Sequence, residues 1–247
     1  MKIGISSSSI YKKNMQEVLE FAENKNIEYI EIMNEYPDDS IDIEMMNSYK
    51  LKYTIHSPIT DLNIASLNKS IQKASINEIK RSIDTANKLN SDIVVIHPSG
   101  MTMLGYPCEN KILSICKESL KQCGEYGNDN GVIATVENMP KSDWLIHKDI
   151  FKLNELLEEI GMYMTLDVGH ASTMRYKEKE LYFNSVKHIH LSDNLLNKDL
   201  HLGLGKGKIN FEKIIKIFRK NNYKGKYILE INDESPIMDS INYLKKI

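Results

Sequence analysis

From its third occurrence onward, a short apolar run ends at a histidine or a carboxylate, and a stretch of helical period usually follows. The eight runs are Lys2–Ser6, Tyr29–Met33, Lys52–His56, then residues 92–97, 132–136 and 162–166, and finally Val186–Leu191 and Lys226–Leu229. The fourth holds Ile93, Val94, Val95 and Ile96 without polar alternation, which marks a parallel strand covered on both faces. Strict strand–helix alternation predicts parallel pairing with right-handed crossovers. Eight units close most economically into a single (β/α)8 barrel spanning residues 1–247. An open doubly wound sheet would need a glycine-rich turn after its first strand, and the serines at 6–9 do not make one.

The helices follow from their apolar period. Met15, Val18, Leu19 and Ala22 share a face, as do Ile76, Ile79, Ile83 and Ala86. The helix through Ile112, Ile115 and Cys116 is expected to end in the breaker run 124–131, and Gly161 stops the helix through Leu153, Leu157 and Ile160. A short helix is expected around 178–184. Asn210 is placed to cap a helix through Phe211, Ile214, Ile215 and Phe218. Pro236 falls in the first turn of the last helix.

A formal charge of −2 leaves no general basic footprint for nucleic acid. Three cysteines without a C-x-x-C argue against a disulfide framework or a cysteine zinc site. Cys116 and Cys123 share one helix at heptad spacing and read as core thiols. No apolar stretch has the length of a signal peptide core or a membrane span, so a cytoplasmic, membrane-free protein is expected.

At the strand ends stand His56, His97, Glu137, Asp167 (with His170 just beyond it), His190 and Glu230. The loop at 192–209 adds Asp199 and His201 before Gly203, Gly205 and Gly207. In a barrel the C-terminal strand ends converge on one mouth, so these positions become one cluster of imidazoles and carboxylates. Without a cation the carboxylates would repel one another and raise their pKa values. The mixed nitrogen and oxygen donors suit Zn²⁺, Mn²⁺ or Fe²⁺ better than Ca²⁺ or Mg²⁺. The glycine loop has two readings: it cradles a substrate phosphate with Lys206 and Lys208, or it turns the chain so that His201 reaches the cluster. Trp144 and Tyr106 are candidates for the wall of a sugar pocket or for wedges in a nucleic-acid stack.

The motifs T-I-H-S-P-I-T-D-L-N-I-A-S-L-N, V-V-I-H-P-S-G, V-E-N-M-P, L-D-V-G-H-A, H-I-H-L-S-D-N, D-L-H-L-G-L-G-K-G-K-I and I-L-E-I-N resemble the xylose-isomerase-like TIM-barrel superfamily from about residue 53 to 232. That superfamily holds sugar and sugar-phosphate isomerases and epimerases, and endonuclease IV-type AP endonucleases. Resemblance to the first branch implies one divalent ion, zinc or manganese, held by Glu137, Asp167, His190 and Glu230. Glu137 and Glu230 would then move a proton on a sugar carbon, with Trp144 and Lys206 contacting the sugar or sugar phosphate. Resemblance to the second implies three zinc ions on His56, His97, Glu137, Asp167, His170, His190, Asp199, His201 and Glu230. The second branch's D-R-H is Asp199-Leu200-His201 here, and Glu137 is followed by N-M-P as in the isomerase-like proteins. A metal-dependent isomerase or epimerase of a sugar, sugar phosphate or polyol is therefore the leading expectation. A zinc AP endonuclease or phosphodiesterase is the alternative, with nucleic acid the disfavoured partner. A binding protein without turnover is the third class.

Overall fold

The run Ile93–Ile96 that reads as the most enclosed in the sequence is buried at all four positions. A computed structural model describes residues 1–35 and 41–247. In it β4 (Ile93–Ile96) pairs in parallel with β3 (Lys52–His56) and β5 (Ile133–Glu137). The other strands are β1 (Lys2–Ser6), β2 (Tyr29–Met33), β6 (Tyr163–Asp167), β7 (Val186–Leu191) and β8 (Lys226–Leu229). They run in sequence order, and β8 returns to pair with β1, so all eight parallel strands close into one TIM barrel. Closure leaves no strand edge exposed.

Among the described residues eight α-helices surround the barrel: α1 (Met15–Asn24), α2 (Ile43–Asn47), α3 (Lys69–Lys88), α4 (Glu109–Asp129), α5 (Ile150–Ile160), α6 (Val168–Thr173), α7 (Phe211–Lys220) and α8 (Ile237–Lys246). Their ends follow local chemistry. Asn14 and Glu17 form a reciprocal capping box at α1. Gly161 closes α5 at φ 69°, where a side chain would be strained. The Asn210 side chain accepts from the Lys213 amide, and α7 then buries Phe211, Ile214, Ile215 and Phe218. These faces join the outward side of the strands in one core with Ile30, Ile32, Ile189 and Leu229.

α4 ends inside the run 124–131, as expected, but only at Asp129, with Gly124 and Gly127 still helical. A Cβ on Gly127 would stand 2.7 Å from the Val132 carbonyl oxygen, and one on Gly124 would meet Met162 at 2.8 Å. These glycines allow a close approach rather than a turn. The segment 178–184 holds only a three-residue 3-10 turn, Glu178–Glu180; the α-helix of that unit is α6, which leaves β6 directly. Asp167 makes this abrupt start favourable, because its Oδ1 accepts from the His170 amide at 2.5 Å. Pro236 is the residue before α8, one step earlier than expected.

Alternation along each strand sends every second residue into the barrel. Contacts between strands that are not neighbours identify that face: Glu31 of β2 meets His188 and His190 of β7, and His56 of β3 meets Glu137 of β5. Among the described residues no helix is long and apolar enough to cross a membrane.

Candidate metal centre

His56, His97, Glu137, Asp167, His190 and Glu230 lie within one residue of the C-terminal ends of β3 to β8. His170 comes from α6. Asp199 and His201 come from the long loop after β7, which folds back over the mouth through a two-way backbone pairing of Asp193 with Leu202 (2.8 and 2.9 Å).

The glycine loop that follows has a different job from the phosphate cradle its sequence allowed. The amides of Gly205 and Gly207 donate to Asp193 Oδ2 at 3.0 and 2.7 Å, and the Ile209 amide donates to Oδ1 at 3.1 Å. The fully buried Asp193 takes the place an anion would fill, so these amides pin the loop. A Cβ on Gly207 would stand 2.3 Å from that carboxylate, which explains the glycine. Lys206 is exposed on this loop, its amide donating to the Gly203 carbonyl. Trp144 lies half-exposed in the loop after β5, with its ring 6.0 Å from that of Tyr106; its carbonyl accepts from the Met101 amide at 2.7 Å.

The nine donors fall into three groups, each with its ligand atoms within 4.8 Å of one another: His56, His97 and Glu137; Glu137, Asp167, His190 and Glu230; and His170, Asp199 and His201. Glu137 belongs to two of them. Its Oε2 lies 3.2 Å from His56 Nε2 and 3.0 Å from His97 Nε2, while its Oε1 lies 3.4 Å from His190 Nδ1 and 3.2 Å from His170 Nδ1. Glu230 Oε2 is also 3.4 Å from His190 Nδ1. In the third group Asp199 Oδ2 sits 3.2 Å from His170 Nε2 and 2.9 Å from His201 Nε2.

Backbone carbonyls fix how three of the imidazoles are presented. Nδ1 of His56, His170 and His201 donates to the carbonyls of Ser57 (2.8 Å), Asn138 (2.9 Å) and Glu230 (2.7 Å). Each Nε2 is then turned toward a carboxylate of the cluster, Glu137 for His56 and Asp199 for His170 and His201. A backbone partner on the far nitrogen is the arrangement that orients metal-binding histidines. Asn138 also ties β5 to β6, accepting from the Asp167 amide at 2.8 Å and donating to the Asp167 carbonyl at 3.0 Å.

The residues present fit a divalent cation. Glu137 Oε1, Asp167 Oδ2, His190 Nδ1 and Asp199 Oδ1 are buried and make no hydrogen bond, a costly state for polar atoms unless something else satisfies them. Three of the four point at one place, and zinc or manganese suits their mix of carboxylate and imidazole. The electrostatics agree. Burial pushes Asp167 up to about 6, with Glu137, Asp199 and Glu230 adding to the effect against His170. Burial pulls His190 down, but Glu31, Glu230 and Glu137 outweigh it and hold the imidazole well above its usual value. Burial likewise opposes protonation of His201, and Asp199 overcomes it, raising the imidazole to about 9.

Two members of this region escaped the sequence reading. Glu31 and His188 are fully buried in the barrel interior beneath the mouth. The signals were present: a carboxylate between two isoleucines in β2, and a second histidine two residues before His190 in β7. Neither stands at a strand end.

Residues 19–247 match the family described as Xylose isomerase-like TIM barrel. An uncharacterized protein of Methanocaldococcus jannaschii is 36% identical over 231 residues, covering 90% of this chain and 89% of its own. An inosose dehydratase of Clostridium botulinum is 23% identical over 193 residues, covering 66% of this chain and 65% of its own. Among solved structures, a D-tagatose 3-epimerase-like protein superposes with a TM-score of 0.91 at 27% identity, covering 100% of this chain and 96% of that one.

Proposed function

From the premise that the chain belongs to the xylose isomerase-like TIM-barrel family, we propose that it is a divalent-metal-dependent isomerase or epimerase of a sugar, sugar phosphate or related polyol. One observation carries this reading: Glu137 Oε1 and Glu230 Oε2 each stand 3.4 Å from the same ligand nitrogen, His190 Nδ1. Two carboxylates thus flank the nitrogen that would bind the ion. The likeness to a D-tagatose 3-epimerase-like structure supports the substrate class.

Glu137, Asp167, His190 and Glu230 would hold the ion. When bound, it would polarise a carbonyl and its neighbouring hydroxyl and stabilise the negative charge that develops as the adjacent carbon loses its proton. The chain's own carboxylates do the proton transfer. One of Glu137 and Glu230 takes the proton from the carbon; the other, from the opposite side, returns one with inverted configuration. His56 and His97 hold Glu137 through Oε2 and leave Oε1 facing the reacting position. Asn138 and the α6 cap hold Asp167 still. The dehydratase relative is consistent with this assignment, because loss of water beside a ketone begins with the same removal of a carbon-bound proton.

The third donor group gives a second reading its footing. His170, Asp199 and His201 converge on the same mouth, and up to three zinc ions there would suit hydrolysis of a phosphodiester, including an abasic site in DNA. Elemental analysis and two assays separate the readings. Deuterium from solvent should enter a ketose at the carbon beside its carbonyl, and abasic duplex DNA should stay intact. Three zinc ions per chain, with nicking and no deuterium uptake, would overturn the first reading in favour of the second. Glu230→Gln, with metal bound, should abolish turnover; full activity in that variant would remove Glu230 from the mechanism.

A further inference from the structure

Glu31, in the middle of β2, is fully buried, and the proton transfers proposed above make no use of it. Its Oε2 accepts from Thr54 Oγ1 at 2.9 Å and lies 2.7 Å from His188 Nε2. Its Oε1 lies 2.7 Å from His190 Nε2. Because β2 and β7 are not sheet neighbours, Glu31 reaches His190 across the barrel interior, from below the mouth.

Distance separates the two ends of the His190 ring. Ligands bonded to one tetrahedral zinc at about 2.0–2.1 Å stand roughly 3.3 Å apart. The 2.7 Å contacts of Glu31 are too short for an ion to lie between its oxygens and the two imidazoles, so this trio is not a further metal site. Nδ1 of the same ring has ligand spacing instead, 3.4 Å to both Glu137 Oε1 and Glu230 Oε2. The Glu31–His190 pair is at ion-pair distance but is not aligned as a hydrogen bond. At 2.7 Å a bare Nε2 lone pair would be repelled by the carboxylate oxygen, so the charge of Glu31 favours the proton on Nε2. With the proton on Nε2, a neutral His190 presents a bare lone pair at Nδ1.

We propose that Glu31 is the positioning residue of the metal centre: it fixes His190 in the Nε2–H tautomer and so aims Nδ1 at the ion. Thr54 and His188 orient the Glu31 carboxylate for that task. The inference rests on the metal-centre reading, and goes beyond it by placing the control of the ligand below the mouth.

Glu31→Gln keeps the volume and removes the charge. Its amide oxygen can serve one imidazole, leaving an N–H₂ group against the other; if it serves His190, a neutral acceptor replaces an anionic one. Cobalt(II) titration of chelator-treated protein, read from the visible absorption of the bound ion, should show binding at the His190 position weakened ten- to a hundredfold. Long-range ¹H–¹⁵N correlation of the zinc-loaded protein should show His190 uniformly Nε2-protonated in the wild type and mixed or shifted in the variant. A purely structural role predicts lower melting temperature without metal, with unchanged cobalt affinity, spectrum and tautomer, and that result overturns the proposal. If Glu31→Gln does not fold, Thr54→Val applies the same test more gently. It deletes one donor that orients Glu31 and should weaken cobalt binding roughly threefold; wild-type affinity there overturns the proposal. A wild-type protein that takes up no cobalt at all overturns the metal centre itself, an outcome distinct from normal cobalt binding by both proteins.

Discussion

At the N-terminal end of the barrel the ammonium of Lys226, a residue only 5% exposed, pairs with Asp92 and lies 5.7 Å from the centre of the Tyr29 ring. Beside it Lys52 pairs with Glu28 at 2.6 Å. At the C-terminal end four carboxylates, Glu137, Asp167, Asp199 and Glu230, have imidazoles as their recorded ionic partners. Buried charge at the floor is matched by fixed opposite charge, so nothing further is required of it. Acidic charge at the mouth meets groups that change protonation, and several of its buried atoms make no hydrogen bond. Paired charge marks structure, and buried atoms without a hydrogen bond mark where the proposed cation would sit.

The largest effect that could break this contrast is at Glu137, which belongs to two donor groups at once. Glu137→Gln should lower turnover by roughly 10³-fold or more, the scale of a lost acid–base group combined with a lost ligand. Elemental analysis should show metal missing as well. Turnover within tenfold of wild type would mean that Glu137 is not the shared ligand.

Asp167 sharpens the contrast through stability. Its folded pKa, pushed up to about 6 by burial and the neighbouring carboxylates, exceeds its unfolded value of about 3.9. The protonated carboxyl therefore stabilises the metal-free fold fully below about pH 3.9, and that contribution is lost as pH rises through 6. At pH 7.5 the charged form costs the metal-free protein about 2–3 kcal/mol. Asparagine carries no charge and caps a helix as well as aspartate. Metal-free Asp167→Asn should thus be the more stable protein at pH 7.5, by about that amount, and should equal wild type near pH 3.5. Urea denaturation in chelator measures both points; lower stability at pH 7.5 would show that the mouth is not under electrostatic strain.

Next in size is an imidazole buried away from the mouth. His147, in the loop after β5, has an unpartnered Nε2 and is pulled down to about 4 by burial, with no carboxylate to oppose it. It is therefore neutral in the fold and protonates near 6.5 when unfolded. Its contribution is present above about 6.5 and lost as pH falls through 4, costing roughly 2 kcal/mol once its partial exposure is allowed for. His147 has a positive φ of 55°, which asparagine tolerates. His147→Asn should flatten the stability profile between pH 6.5 and 4 in thermal melts. An unchanged slope would assign the acid sensitivity to other groups held below their usual values, such as the mouth carboxylates Glu137 and Glu230.

The contrast also explains what the sequence could reveal. β2, β3 and β8 have the limits read from their apolar runs, and Asp167, His190 and Glu230 stand out because each interrupts or follows such a run at a strand end. Convergence on one mouth then follows from the barrel rather than from any local signal. Glu31 and His188 stayed hidden because their partners lie across the barrel, 157 positions apart in sequence for their shared contact. The role of the glycine loop was hidden for the same reason: its amides suit any anion, and only the folded chain brings the Asp193 carboxylate to them. Glycines 124 and 127 counted toward the breaker run because a close approach and a turn leave the same letter in the sequence, and what Gly127 approaches is a backbone carbonyl.

The smallest test is the control at the floor. Asp92→Asn removes a carboxylate, as Asp167→Asn does, but leaves behind a buried ammonium rather than relieving crowded acids. Breaking a fully buried ion pair costs about 3–5 kcal/mol. Asp92 is largely exposed, with 63% of its side-chain surface open to water, and an asparagine oxygen still accepts from Lys226, so the expected loss is about 1–2 kcal/mol. The sign is opposite to that at Asp167, and it should persist with or without metal. Turnover should stay at the wild-type level, since Lys226 begins β8 while Glu230 follows its far end. A gain in stability from Asp92→Asn, or a fall in turnover, would mean that the two ends of the barrel are not separable in the way their charge pairing implies.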